Sequence, residues 1–237
     1  MRRHMFRWSP ARIIAGAFGS ISFIGSILLY LPWGHMPGQS ITYVDALYTA
    51  VSALCVTGLS IVDTAAVFNP FGQAILAVLI QVGGLGVSTM GAGVLLMLGR
   101  KVGIRQRNLI HDTMNLDSYS GVVRFLRTLF ATTVFIEIIG AFLGYFVFRR
   151  DYEMMESIGL SIFHSISSFN NAGLTILTKE RSMEMYAEDP FMLILTTALV
   201  FVGGLGFIVI RECWVNRFRW RKLSMHSRVS IFMAVFL

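Results

Sequence analysis

Two copies of one pattern follow each other in this chain, and this repetition restricts the possible fold more than any other feature of the sequence. Three segments recur in the same order: residues 48–60 at 163–175 with a shift of 115 positions, Asn69-Pro70 at Asp189-Pro190 with a shift of 120, and Val82–Gly86 at Val202–Gly206 with the same shift of 120. Three ordered matches indicate a tandem structural repeat. Each copy contains a long apolar segment, a short apolar segment, a glycine turn and a further long apolar segment.

Charged residues are scarce, which indicates an integral membrane protein. They make up 14% of the 237 residues, and hydrophobic residues make up 55%, whereas soluble domains carry roughly 25% charged residues. The net charge of +7 does not indicate a nucleic-acid partner, because the basic residues stand in blocks between apolar segments. We therefore expect membrane lipid, and no nucleic acid, as a partner. The apolar run after Arg12 is too long for a signal peptide, which predicts a retained first helix.

The long apolar segments predict four helices. Ile13–Leu31 and Phe125–Phe148 predict an outer helix in each copy, and at 1.5 Å per residue the shorter of them still crosses about 30 Å. Phe71–Leu98 and Phe191–Ile210 predict an inner helix in each copy, and an Asn-Pro or Asp-Pro cap precedes each of these. The fold class is therefore an all-α polytopic membrane protein of tandem repeats, each with an outer helix, a pore half-helix with its loop, and an inner helix.

These segments divide the chain into four parts. Residues 1–98 form the first membrane–pore–membrane repeat and residues 99–124 a cytoplasmic connection. Residues 125–216 form the second repeat. Residues 217–237 form a further cytoplasmic connection and the start of a third repeat, which the chain does not complete.

The distribution of basic residues predicts the orientation. Sixteen of the twenty Lys and Arg residues lie before the first helix, between the repeats or after the second repeat. That side is therefore cytoplasmic, which predicts a multi-pass protein of the cell membrane with its N-terminus in the cytoplasm. Nine acidic residues lie on the outer side, and a negatively charged mouth concentrates cations. The alternative, that these are ordinary solvated loop charges, remains open.

Each copy also contains an apolar segment that is too short to cross a bilayer. Asp45–Leu54 and Ser157–Phe169 predict half-length helices, and the turns Thr57-Gly58 and Ala172-Gly173 follow them. Backbone that is not helical exists at membrane depth only where protein buries it or water reaches it. Loops that enter the membrane and merely pack against the helices are the structural alternative.

The two turns predict a cation site. Both half helices direct their C-terminal ends inward, where the helix dipole stabilises a cation, and turn carbonyl groups can replace its hydration shell. Glycine suits such turns because it adopts positive φ angles. We expect Thr57 and Asn171 to support the loops by hydrogen bonds. The backbone carbonyl groups of the candidate site belong to Cys55, Val56, Thr57, Gly58, Leu59, Asn170, Asn171, Ala172, Gly173 and Leu174.

Other polar residues favour structural roles. Glu137 lies within an apolar segment, where charge is expensive, and a hydrogen bond inside the helix bundle explains it better than a role in transport. His164 stands among serines, as a hydrolase site would require, but no Gly-x-Ser-x-Gly elbow is present. No enzymatic activity or covalent cofactor is therefore expected. Because Cys55 lies in the first turn and Cys213 near the inner end of a later helix, no disulfide between them is expected either.

The motifs around both turns resemble those of the Trk/Ktr/HKT superfamily of potassium transporters, and most closely those of the bacterial Ktr and Trk membrane subunits. The segments that carry the resemblance are Cys55–Ser60, Phe163–Ser165, Asn170–Leu174 and the two Val-Gly-Gly-Leu-Gly runs. The resemblance implies potassium uptake through one pore surrounded by four repeats, as in a potassium channel, with Gly58 and Gly173 in two of the four filter strands. It also implies homodimers, a cytosolic nucleotide-binding regulatory subunit, and stimulation by sodium in Ktr-type members.

This chain departs from that family pattern because it holds two repeats and the start of a third. We expect a fragment of a longer subunit, or half-subunits that assemble. A non-conducting regulatory or degenerate subunit of a cation transport system remains the alternative, followed by a membrane enzyme.

Overall fold

The computed structural model describes residues 10–87, 89–91, 122–177, 183–215 and 219–236. These residues are predominantly helical, and the extended pairing among them is a single antiparallel bridge between His35 and Phe68. The prediction of an all-α protein is confirmed. The helices in chain order are α1 (Pro10–Tyr30), α2 (Tyr43–Cys55), α3 (Thr64–Val67), α4 (Pro70–Leu85), α5 (Val122–Phe148), α6 (Met154–Phe169), α7 (Pro190–Gly204), α8 (Phe207–Val215) and α9 (Met225–Phe236).

Two helices of the described chain are long and apolar enough to cross a membrane. They comprise Arg12–Tyr30, with 19 residues, and Val123–Phe148, with 26 residues. Both coincide with the predicted outer helices. The predicted half helices are longer than expected, since α2 has 13 residues and α6 has 16. At 1.5 Å per residue they reach about 20 and 24 Å, which remains short of the roughly 30 Å hydrocarbon core.

Side-chain caps define where the shorter helices begin. Thr42 and Asp45 form a capping box at the start of α2. The Asn69 side chain accepts hydrogen bonds from two first-turn N–H groups of α4, and Asp189 does the same for α7. A proline occupies the first turn of each of these two helices. The predicted Asn-Pro and Asp-Pro caps are therefore confirmed.

The prediction of two unbroken inner helices is wrong. Helix α4 ends at Leu85, and α7 ends at Gly204 before α8 begins at Phe207. The break in both cases is the last glycine of the Val-Gly-Gly-Leu-Gly run, because Gly86 and Gly206 both have a φ of 82°. This backbone conformation is incompatible with a right-handed helix and favours glycine. Residues 92–98 of the predicted first inner helix lie outside the described part of the chain.

Helical structure resumes immediately after each break. The Met90 N–H donates to the Gly86 carbonyl oxygen at 2.9 Å, and the Ile210 N–H donates to the Gly206 carbonyl oxygen at 3.1 Å. The sequence contained a signal for these breaks, because the glycine-rich Val-Gly-Gly-Leu-Gly run occurs at both of them.

Both copies of the pattern contribute to one core. In the first copy α2 packs against α1 and α4, and in the second α6 packs against α5 and α7. Helix α4 also contacts α6, which joins the two copies. The largest fully buried side chains of this shared core are Phe68, Phe148, Leu29, Leu76, Ile80 and Met192. This packing places the ends of α2 and α6, and thus the two predicted glycine turns, beside each other.

Candidate cation site

The first glycine turn is held by the half helix that precedes it. After α2 ends at Cys55, Val56 adopts a left-handed conformation with a φ of 56°. The Thr57 N–H then donates to the Ser52 carbonyl oxygen at 3.0 Å, and Gly58 has a φ of 74°. The Ser52 hydroxyl donates to the Leu59 carbonyl oxygen at 2.5 Å and lies 2.9 Å from the Thr57 hydroxyl. The expected support of the loop by Thr57 is confirmed.

The second turn has the same geometry 115 positions later. Asn171 adopts the left-handed conformation with a φ of 57°, and Gly173 has a φ of 67°. The Ala172 N–H donates to the Ser167 carbonyl oxygen at 2.7 Å. The Ser167 hydroxyl donates to the Leu174 carbonyl oxygen at 2.6 Å. The positive φ angles expected of Gly58 and Gly173 are therefore both present.

The two turns meet although they are far apart in sequence. A Cβ atom built on Gly58 would lie 2.8 Å from the Ala172 carbonyl oxygen and 3.4 Å from the Gly173 Cα atom. A Cβ atom built on Gly173 would lie 3.5 Å from the Gly58 Cα atom. Close by, the Thr64 hydroxyl donates to the Thr175 carbonyl oxygen. The contact leaves no room for a Cβ atom on Gly58, whereas a Cβ atom on Gly173 would make an ordinary contact. Glycine at 58 therefore serves the approach of the two backbones as well as its φ angle, and glycine at 173 serves its φ angle.

Glycines of the inner helices pack behind both turns. A Cβ atom on Gly83 would overlap the Leu54 carbonyl oxygen, and one on Gly203 would overlap the Phe169 carbonyl oxygen. Leu54 and Phe169 are themselves separated by 115 positions and lie at the ends of α2 and α6. These glycines therefore permit the inner helices to pack closely against the ends of the half helices.

The side chain of Asn170 connects the second turn to two other helices. Its amide nitrogen Nδ2 lies 3.0 Å from the Gln81 Oε1 atom and 3.3 Å from the Glu137 Oε1 atom. The expected bond of Glu137 within the bundle is therefore present. The partner of Glu137, however, is a residue of the candidate site. Gln81 was missed, although an amide side chain in the middle of the apolar α4 segment was a visible signal.

The contacts of the site show where several of the ten predicted carbonyl groups lie. Leu59 and Leu174 direct their carbonyl oxygens to serine hydroxyls of the preceding half helix. The Ala172 carbonyl oxygen lies at the contact between the turns. Ser52 and Ser167 were missed as supporting residues. Their shared offset of 115 positions was the signal that could have identified them.

His164 makes contacts typical of helix packing. Its Nε2 atom lies 3.0 Å from the Thr196 hydroxyl of α7 and 3.3 Å from the Ser168 hydroxyl. The imidazole also packs edge-on against the Phe148 ring, with centroids 5.9 Å apart. Ser168 lies four positions after His164 and therefore on the same helix face. The bond to Thr196 joins α6 to α7, and the ring contact with Phe148 joins α6 to α5.

The electrostatic environment of the turns suits a cation. Both half helices end there, and the C-terminal end of a helix carries roughly half a negative elementary charge. The last carbonyl groups of a helix have no partner within the helix. The paired turns therefore combine two helix ends with backbone oxygen atoms, which are the ligands that an alkali cation prefers.

Comparison with known proteins shows similarity to cation transport proteins. Residues 10–230 match the profile of the TrkH family, described as cation transport protein. The chain is 34% identical to Ktr system potassium uptake protein B of Bacillus subtilis over 225 residues, which are 95% of this chain and 49% of that protein. It is 34% identical to the potassium/sodium uptake protein NtpJ of Enterococcus hirae over 231 residues, which are 98% of this chain and 51% of that protein. The chain thus spans about half the length of the curated relatives that it matches.

Proposed function

The chain belongs to the TrkH family of cation transport proteins, and on that premise we propose that it supplies two of the four strands of a filter for potassium uptake across the cell membrane. The contact between Gly58 and Gly173 carries this proposal. It brings together two left-handed turns, each at the C-terminal end of a half helix. Carbonyl groups of these turns replace the hydration shell of the ion. The filter strands comprise residues 55–59 and 170–174.

The proposed repeat architecture rests on matched contacts. Four features recur in both copies. At a shift of 115 positions they are a left-handed residue after the half helix, a backbone hydrogen bond from the turn to the half helix, and a serine hydroxyl bond to a carbonyl oxygen beyond the turn. At a shift of 120 positions, an inner-helix glycine packs against the end of the half helix. The membrane potential drives the ion inward, at about 2.3 kcal/mol per charge per 100 mV. The proposed transport therefore needs neither enzymatic chemistry nor a covalent cofactor.

Exposed edges support the proposal that two further strands complete the filter. At the junction between the copies, Asn170 is buried against Gly84 of α4. The residue at the position of Asn170 in the first copy is Cys55, and it is exposed. The residue at the position of Gly84 in the second copy is Gly204, and it is also exposed. Each open edge therefore presents one half of the contact that the junction already makes.

A second pair of equivalent residues shows the same difference. Tyr48 of α2 is 38% exposed, whereas Phe163, its equivalent on α6, is 4% exposed. Two further repeats of the same design would cover both edges and surround one pore. The parts 1–98, 99–124, 125–216 and 217–237 remain our proposed division of the chain.

The remaining features of the proposal follow from charge distribution and family. We place the N-terminus and the basic connections in the cytoplasm, in a multi-pass arrangement surrounded by membrane lipid. A homodimer with a cytosolic nucleotide-binding regulatory subunit is the proposed assembly. Potassium is the proposed transported ion, and sodium the proposed stimulating ion. The relative NtpJ is named a potassium/sodium uptake protein, which accords with both ions.

Rubidium uptake tests the proposed function. The full natural reading frame that contains this chain is expressed, with its regulatory subunit, in bacterial cells that lack their own potassium uptake systems. Gly58→Asp and Gly173→Asp are compared with Gly38→Asp. Gly38 is a matched control because its φ is also positive, at 81°, while a Cβ atom there meets nothing within 4 Å.

We expect uptake that potassium competes away, that both filter variants abolish and that the Gly38 variant retains. Uptake that both filter variants leave intact would show that the loops only pack, and the proposal would fail. Absence of uptake from the intact protein, despite confirmed membrane expression, would favour a non-conducting subunit.

A further inference from the structure

A cluster of three polar side chains lies behind the second glycine turn. Glu137 is on α5, Gln81 is on α4, and Asn170 directly follows α6. The Asn170 amide nitrogen faces three acceptors: the Gln81 Oε1 atom at 3.0 Å, the Glu137 Oε1 atom at 3.3 Å and the Ile166 carbonyl oxygen at 2.9 Å. The cluster therefore connects three elements through one side chain of the turn.

The repeat does not require this cluster. The outer helices also follow the shift of 115, because Cβ atoms built on Gly25 and Gly140 meet Leu79 and Leu199 at the same distances of 2.9 and 3.0 Å. The residue equivalent to Glu137 in the first copy is then Ser22. The counterparts of Asn170 and Gln81 are Cys55 and Phe201. None of these three counterparts carries a carboxyl or amide group.

An acidic group within an apolar helix is unfavourable unless hydrogen bonds compensate for its lost hydration. Because the equivalent position of the first copy holds Ser22, the repeat pattern itself does not require Glu137. The cluster occurs only at the junction between the two copies within the described chain. At that junction it contacts the turn that faces the other glycine turn. Its position therefore indicates a role in setting the distance between the two turns.

We propose that Glu137 is a positioning residue that acts through Asn170 and Gln81 to hold the second glycine turn against the first, and thereby sets the preference for potassium over sodium. The proposal rests on the proposed filter. Asn170 precedes the left-handed Asn171, and Ala172 then presents its carbonyl oxygen to Gly58. A shift of Asn170 therefore displaces carbonyl oxygens of the filter. Discrimination among alkali cations depends on the number and spacing of such oxygens.

The number of hydrogens predicts which substitution preserves the cluster. The Asn170 amide has two hydrogens, and it faces three acceptor oxygens. A glutamine at position 137 accepts from Asn170 with its oxygen and offers further donors to Gln81. Leucine at the same position offers neither. Glu137→Gln is therefore the conservative variant and Glu137→Leu the disruptive one.

Competition experiments test this proposal with a readout that simple destabilisation does not change. Rubidium uptake by the full natural reading frame is measured with potassium or sodium as competitor, and the ratio of the two inhibition constants is compared among variants. Ser22→Leu is the matched control, because it places the same side chain at the equivalent position of the first copy.

We expect Glu137→Leu to reduce the preference for potassium by about fivefold to tenfold while uptake persists. Glu137→Gln and Ser22→Leu should stay within about twofold of the parent. Uptake by Glu137→Leu with an unchanged ratio overturns the proposal, and so does an equal loss in Glu137→Gln. If Glu137→Leu does not reach the membrane, the ratio for Gln81→Leu decides in the same way.

The two proposals can fail separately. Normal uptake by both Gly58→Asp and Gly173→Asp would refute the proposed filter. Loss of uptake in those variants, together with an unchanged ratio of inhibition constants in Glu137→Leu, would support the filter and refute only the positioning role of Glu137.

Discussion

Gly83 of α4 lies so close to the carbonyl oxygen of Leu54, near the end of α2, that a single methyl group on it would overlap that oxygen. Gly203 has the same relationship to Phe169 at the end of α6. Each inner helix therefore supports a half helix through backbone contact. The position of each glycine turn depends on how closely these two helices approach.

We predict that Gly83→Ala and Gly203→Ala destabilise the protein and reduce rubidium uptake. The added methyl group must displace backbone, and overpacking of this kind costs roughly 1–3 kcal/mol. Gly19→Ala is the control, because a Cβ atom there meets nothing within 4 Å and alanine is favoured in a helix by roughly 0.5–1 kcal/mol. Thermal unfolding in detergent provides the comparison. Equal stability of Gly83→Ala and Gly19→Ala would contradict the close packing.

A second prediction concerns the serine hydroxyls that hold the turns. Ser52→Ala and Ser167→Ala each leave a carbonyl oxygen, of Leu59 or Leu174, without its hydroxyl donor. We expect a loss of roughly 1–3 kcal/mol in the free energy of unfolding and a weaker preference for potassium. Ser20→Ala is the control, because the Ser20 hydroxyl bonds only the Gly16 carbonyl oxygen of its own exposed helix face. The prediction fails if all three variants behave alike in unfolding and uptake.

A third prediction isolates backbone conformation at the helix break. A Cβ atom on Gly206 meets nothing within 4 Å, so a substitution there acts through the φ of 82° alone. Gly206→Ala should destabilise the break by about 1–2 kcal/mol, because L-residues disfavour this conformation. Gly19→Ala is the control, because a Cβ atom there also meets nothing within 4 Å and the position lies within a regular helix. Unfolding measurements that find Gly206→Ala as stable as Gly19→Ala would disprove this explanation.

A fourth prediction concerns pH. Hydrogen bonds from the backbone N–H groups of Met192 and Phe191, and the Arg150 guanidinium at 2.6 Å, hold the pKa of Asp189 below its ordinary value. A lowered pKa in the folded state means that Asp189 contributes stability at neutral pH, and that this contribution disappears as the pH falls through the lowered pKa.

Asp189→Asn is the matched variant for this test, because asparagine also caps helices but does not titrate. We expect the parent to be more stable than Asp189→Asn at neutral pH and the difference to shrink in acid. Thermal unfolding over a series of acidic pH values measures the difference. A constant difference across the series would show that Asp189 does not titrate in this way.

Much of the fold could be predicted from the sequence because local rules determine it. Apolar length predicted α1 and α5, and the residue pairs Asn69-Pro70 and Asp189-Pro190 predicted the starts of α4 and α7. The glycine turns were predicted because a half-length helix followed by glycine repeats in the sequence. These features depend on near neighbours along the chain, which the sequence displays directly.

Other features depend on contacts between distant segments. The break at Gly86 and Gly206 depends on φ angles that a glycine permits but does not require. The bonds of Asn170 to Gln81 and Glu137 join three helices, and the sequence does not reveal which polar residues face each other. The serines at 52 and 167 were visible as a repeated pair, but their bonds to carbonyl oxygens beyond the turn require the folded loop.

The contact between α4 and α6 also has a consequence for biosynthesis. Helix α4 leaves the ribosome before α6, so the surface that buries Asn170 and packs beside α6 is already present when α6 emerges. The first copy has no such earlier neighbour within the described chain, and its equivalent edge at Cys55 is exposed. The second copy therefore completes its packing on a surface that the first copy has already supplied.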